Sequence, residues 1–308
     1  MSKRKDPLEG EITPDRVFFA TGMMLDAGDF LDEQAYHRGR LARALAFTHG
    51  AGTAAGLNVR YRLRAGATGG SVEELVVSPG LAIDRQGRLI EIRREACIRL
   101  DRWYAEQAGS KDPAVIDALA QAWAAQADHG VAAAAWDGVV ADVFVRFAAC
   151  ERGKTPAFAE GPFDALDAVQ PSRVRDGYEI QLILRPEDNL PQRVPPQNWP
   201  GFADTDDTAQ RRRKLQDAIL AGWPGNAATP TEPPAFDEYP ANQADRLAVF
   251  LARVVIQAAQ PAPGKAPVRA PHPAPPQTDA DAGAVVKIDN HLRLFIYMPQ
   301  ALARALGM

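Results

Sequence analysis

Between residues 26 and 59 the chain changes its period once, and that change limits the folds open to it. Asp26 is placed to cap a helix. Asp29 follows three residues later in capping-box fashion, and acidic residues suit a first helical turn. From about Ala27 to Thr48 the chain reads as helix. His49-Gly50-Ala51-Gly52 stops it, because glycine favours the position just past a helix end. Gly56-Leu57-Asn58-Val59 enters a strand, and Leu57 to Arg64 alternates with Leu57, Val59, Tyr61 and Leu63 on one face. A helix feeding straight into alternating strands predicts an α+β chain. The expected form is an N-terminal helix, then a small antiparallel β-domain with helical and proline-rich insertions.

The helix carries no clean apolar stripe. Positions at 4,3 spacing are Phe30, Gln34, His37, Leu41, Ala44 and Thr48, and a neighbouring stripe is Leu31, Ala35, Arg38, Ala42 and Leu45. Two readings stay open. A helix half-buried on its own core would be more uniform, whereas a seam between identical chains tolerates polar positions that set register and copy number.

Downstream, Leu75-Val76-Val77 and Leu81-Ala82-Ile83 flank a Ser78-Pro79-Gly80 break, and Asp84-Arg85-Gln86-Gly87 joins a strand to its return at Leu89–Ile92. A further strand is expected through Ile98 and Leu100. Asp112-Pro113 opens a second helix, with proline tolerated at its first position, ending near His129-Gly130. Val139–Ala149 and Tyr178–Leu184 read as strong strands. From Pro186 to Pro276 the character changes: 17 of the 25 prolines fall there. Helical patches are expected at Thr208–Trp223 and Gln243–Phe250, and Leu251–Ile256 fits either a helix end or a buried strand. Seven prolines between 261 and 276 favour an extended loop across 259–278. Val285–Ile288 and Leu292–Tyr297 read as a closing hairpin, and Pro299–Leu306 as a short helix. The implied organisation is a flexible arm at 1–17 and a helical attachment segment at 18–56. A β-rich domain at 57–185, with a helical insertion near 112–129, precedes a proline-rich part at 186–308.

A net charge of −4 argues against a broad basic surface for nucleic acid. The basic run Arg211-Arg212-Arg213-Lys214 reads as a solvated helix face. No run approaches the 18 or so apolar residues of a membrane helix, and no apolar stretch follows the charged N-terminus as in a secretory signal. The chain is therefore expected in the cytoplasm on synthesis, with no membrane insertion. Two cysteines, Cys97 and Cys150, lie in strand-like runs and read as small buried hydrophobes without an essential bridge.

No catalytic signature stands out. The five histidines do not pair at a metal-ligand spacing. The glycines at 50, 52 and 56 run helix to strand, the reverse of a phosphate loop, in which the anion meets a helix N-terminus. Asp26, Asp29, Asp32 and Glu33 do not match a calcium loop, and a helix start accounts for them. Asp84 and Glu91 flank a hairpin without any further mark of a glycosidase pair. No enzyme, metal or cofactor is expected.

Several stretches resemble one bacterial family. FFATGMMLDAGDFLDEQAYHR is similar to its opening "YFDGQLLTAEDFxxEQxYHR", HGAGTAAGLNV to "HGWGVVxGLxV", and VVSPGLAIDRQGRLIEI to "VSPGxAxDxxGRxIxV". RVRDGYEIQLIL, LARVVI and VKIDNHLRLFIY resemble later segments, so the likeness spans about residues 18–298. Ala20 and Thr21 replace the aspartate-bearing start, Ala51 and Ala55 replace bulky turn residues, and the central cysteines of many members are mostly missing. Members tend to be encoded beside contractile injection systems and phage-tail-like particles. The pattern also looks like the helix-and-collar unit of baseplate and tail-fibre proteins, which are commonly trimers. The resemblance implies a structural component at the baseplate or fibre-attachment level. Its partners would be copies of itself in a homotrimer and neighbouring baseplate or fibre proteins. Phe30, Tyr36, His37, Leu41 and Leu45 are then the seam or docking candidates. An alternative is a receptor- or glycan-recognition module using Trp199, Phe202, Trp223, Phe236 and Tyr239; a tail-associated hydrolase is a third reading.

Overall fold

A computed structural model describes residues 3–4, 6, 8, 15–65, 71–124, 137–156, 169–185, 203–221, 247–269 and 285–297. In chain order these form β1 (Lys3–Arg4), α1 (Ala27–His49), β2 (Gly52–Gly56), β3 (Val59–Ala65), β4 (Ser71–Val77), β5 (Gly80–Ile83), β6 (Leu89–Ile92) and β7 (Ala96–Arg99). Then come α2 (Leu100–Ala108), α3 (Pro113–Ala124), β8 (Gly138–Arg152), β9 (Thr155–Pro156), β10 (Val169–Gln170), β11 (Arg173–Leu184), α4 (Thr208–Ala221), β12 (Val249–Gln257) and β13 (Val286–Asp289). The chain is α+β, with antiparallel sheets behind an N-terminal helix.

The start of α1 is built as its residues dictate. The Asp26 carboxylate accepts from the Gly28 and Asp29 amides at 2.7 and 3.1 Å, and Asp29 accepts from the Asp26 amide at 2.9 Å. Gly50 ends the helix with φ 72° and donates to the Ala46 carbonyl. Beyond it lie two three-stranded sheets, ordered β2-β5-β6 and β3-β4-β7. Ser78-Pro79 carries the chain from one to the other, because proline cannot continue the ladder.

The largest sheet is ordered β11-β8-β12-β13, with β1 paired on β8 at Cys150 and Ala149. One continuous core joins it to the small sheets and to α2 and α3. Leu57, Leu75, Ile90, Leu100, Leu119, Val143 and Leu251 are all fully buried in it. Trp103 and Trp123 lay their rings against this core and donate their indole N–H groups to the Leu182 and Ala258 carbonyls, at 3.1 and 3.0 Å. On the sheet's other face, buried Asp142 accepts two bonds from Arg253 at 2.8 and 2.9 Å and lies 3.3 Å from fully buried Arg185.

The structure departs from several expectations. The N-terminal arm is held at its described residues: Lys3–Arg4 forms a strand, and Asp6 and Leu8 are buried. Leu100 opens the unforeseen helix α2 instead of ending a strand. Phe250 is strand, not helix, and of the two readings of Leu251–Ile256 the buried strand is the one that forms. β12 is buried almost throughout, and a strand covered on both faces loses the alternation that would announce it. β12 and β13, from beyond residue 186, share the sheet and core of the preceding segment. The closing hairpin does not form. β13 pairs with β12, and the following residues cross to β2, where Thr53 donates to the Leu294 carbonyl at 2.8 Å and Ile296 to that of Thr53 at 2.9 Å. Cys97 is exposed and Cys150 half-buried, both as free thiols. Pro299–Leu306 and residues 270–278 of the proline loop lie outside the described residues.

Candidate docking surface

α1 touches the rest of the protein through small residues. Gly39 and Ala42 are the buried positions of the helix. Opposite them lies Gly87, at the tip of the β5–β6 hairpin with φ 83°. A Cβ added there would overlap the Ala42 carbonyl oxygen and sit 3.0 Å from the Ala42 Cα. Backbone therefore meets backbone at this crossing, which only glycine permits.

A buried ionic cluster fastens the same joint. Asp6 is 2% exposed and bridges Arg38 of α1 at 3.1 Å to Arg88 of the hairpin at 3.3 Å. Arg88 in turn donates through Nε to Asp84 at 2.6 Å, while Asp84 accepts from the amides of Gln86 and Arg88, both at 2.9 Å. The Arg88 guanidinium also lies over the Phe147 ring of β8, 4.7 Å from its centroid. The arm, the helix, the hairpin and the large sheet thus converge on one group of side chains.

The opposite side of α1 faces solvent and is apolar in places. At about 100° per residue, Phe30, His37 and Leu41 fall on the side away from Gly39. Phe30 and Leu41 are 55% and 56% exposed. The His37 side chain is largely exposed and bonds Glu33 at 2.8 Å. Tyr36 and Leu45 are half-buried at the flanks of this face, and Tyr36 lies beneath the Arg40 guanidinium at 5.2 Å. The segment leading into the helix extends the apolar surface with Phe18, Phe19 and Met24, the last 92% exposed. Their run, FFATGMM, was the available signal, since so many large apolar residues stand there outside any alternating or helical pattern.

Other residues weighed for chemistry have structural partners. Asp26 and Asp29 cap α1. Glu91 pairs with Arg93 on the surface at 3.0 Å, far in role from buried Asp84. Arg211, Arg212 and Arg213 lie exposed on α4, and Lys214 bonds Asp206 at 2.6 Å, holding that carboxyl below its usual range. Among the described residues no group of three or more His, Cys, Asp or Glu could hold a metal ion, and no helix is long and apolar enough to cross a membrane. Trp199, Phe202, Trp223, Phe236 and Tyr239 lie outside the described residues. Compared with models of protein families and with curated proteins, the chain matches none.

Proposed function

We propose that the chain is a structural subunit rather than an enzyme, and that it assembles through α1 as a homotrimer. Its place would be the baseplate or fibre-attachment level of a contractile, phage-tail-like particle, with neighbouring baseplate or fibre proteins as its other partners. The observation that carries this reading is the apolar surface of α1 and its lead-in, where Phe18, Phe19, Met24, Phe30 and Leu41 are each more than half exposed. An exposed surface of this kind marks an interaction site in soluble proteins.

A second feature supports the same reading. Arg38, Asp84, Gly87 and Arg88 occupy the "YHR" and "DxxGR" positions of the family resemblance, and they meet at the joint that sets α1 on the hairpin. On this reading the motif serves to present a helix. The test is light scattering coupled to size exclusion on the full chain. A mass near three protomers is the expected result. A stable monomer that also fails to copurify with tail proteins from sheared particles would overturn the proposal.

A further inference from the structure

Arg293 is a buried cation with no anion among the described residues. It is 5% exposed, yet no carboxylate among the described residues reaches it. Its Nε donates to the Asn290 carbonyl at 2.9 Å, one Nη1 hydrogen to the Leu57 carbonyl at 2.8 Å, and one Nη2 hydrogen to the Asn290 side-chain oxygen. A guanidinium carries five N–H donors, so two are left over. Burying such a charge without a counter-charge is expensive, and burial pushes the Arg293 pKa down to about 10.

Arg293 lines a groove that opens to solvent beside Asn58, Ile288, His291 and Phe295. The turn's own carboxylate, Asp289, accepts from the His291 amide at 2.7 Å and is not among the lining residues. The groove is rigidly framed. Both side-chain ends of Asn290 bond the backbone of Val59, at 2.9 Å each, as a neighbouring strand would. Leu57, whose carbonyl Arg293 holds, is fully buried at φ 57°, a left-handed conformation that a leucine adopts only when its surroundings impose it.

We propose that this groove is a carboxylate-binding site. The two remaining Arg293 donors meet the carboxylate oxygens, and Phe295 and Ile288 flank an apolar group beside the acid. A guanidinium suits this ligand because its planar fork matches a carboxylate. The proposal does not depend on the assembly reading, since α1 takes no part in the groove.

The experiment is calorimetric titration of the full chain with benzoate, with benzamide as the neutral isostere. Saturable benzoate binding, at least tenfold tighter than benzamide, is expected. A capped dipeptide ending in a free phenylalanine carboxylate, set against its C-terminal amide, separates the two sources of the acid. Binding at least tenfold tighter than benzoate points to a polypeptide end, and equal binding to a small free acid. Arg293→Lys tests the fork directly but also disturbs the frame. Asn58→Asp, an exposed lining position, supplies a carboxylate from within the chain and leaves Arg293 untouched. It is expected to weaken benzoate at least tenfold without loss of folding. Benzoate that binds no better than benzamide, or binds Asn58→Asp as tightly as the unaltered chain, overturns the proposal.

Discussion

Gly87 packs directly against the backbone of Ala42, so the hairpin tip and α1 are in contact without a side chain between them. The Gly87→Ala substitution would force a Cβ into the Ala42 carbonyl at a position with φ 83°. A loss of about 2–4 kcal/mol in urea unfolding is expected, from backbone strain and overpacking together. Hydrogen exchange around Gly39–Ala42 should accelerate in the variant. An unchanged unfolding midpoint would show that the helix is not seated there.

Asp6 joins two arginines from separate elements and is almost fully buried. Asp6→Asn removes the charge from that bridge while Arg88 keeps Asp84 at 2.6 Å. The expected destabilisation is about 2–3 kcal/mol, below the cost of stripping a buried charge of every partner. Proteolysis near residues 3–4 should become faster, because β1 loses the anchor beside it. A variant as stable and as protected as the parent would show that the arm is held by its strand alone.

Phe30 and Leu41 make little contact within the protomer, so their substitution separates folding from assembly. Phe30→Asp with Leu41→Asp is expected to leave protomer stability within about 0.5 kcal/mol per site, as for other exposed positions. The same change should convert a trimer to a monomer in light scattering. Retention of the assembled mass would place the seam elsewhere on the surface.

Tyr104 gives an alkaline signature. Burial raises its pKa from 10.0 to about 12, with the hydroxyl donating to the Pro267 carbonyl at 3.0 Å. Between those values the folded chain keeps a proton that the unfolded chain releases, so this residue makes stability fall as pH rises through that window. Arg293 acts in the opposite sense. Its folded pKa is depressed, so from about 10 upward the folded chain has lost a proton that the unfolded chain still holds. Tyr104→Phe should therefore make the slope of stability against pH less negative over that range. Denaturant unfolding at a series of alkaline pH values reads the slope directly, and an unaltered slope would mean that Tyr104 does not titrate across folding.

Much of the scaffold was legible from local chemistry. The Asp26–Asp29 capping box, the Gly50 stop, the alternation from Leu57, the Ser78-Pro79-Gly80 break and Pro113 at a helix start all act within a few residues of chain. Such signals remain visible in one dimension. β12 was ambiguous because its apolar run lacks a period. The 292–297 segment pairs with β2 and not with β13, and pairing between strands distant in sequence leaves no mark in either strand.

The docking surface was legible only in part. Phe30, His37 and Leu41 fall on the outward face of α1, while Tyr36 and Leu45 sit at its flanks. Which side of a mixed helix faces inward is decided by what packs against it, and here that is Gly87, 45 residues beyond Ala42. Asp6 and Arg293 carried no signal, since a lone charged residue reads as solvated until its surroundings are known.

The sequence by itself determined the α+β class, the caps and breaks of its elements, and the absence of any familiar catalytic motif, because these follow from spacing and backbone preference. The tertiary structure alone decided which apolar residues of α1 stay in solvent, how Asp6 ties Arg38 to Arg88, and that Arg293 is buried without a counter-charge among the described residues. Burial and ion pairing are properties of distances between remote residues, and those distances exist only once the sheets have closed on one core.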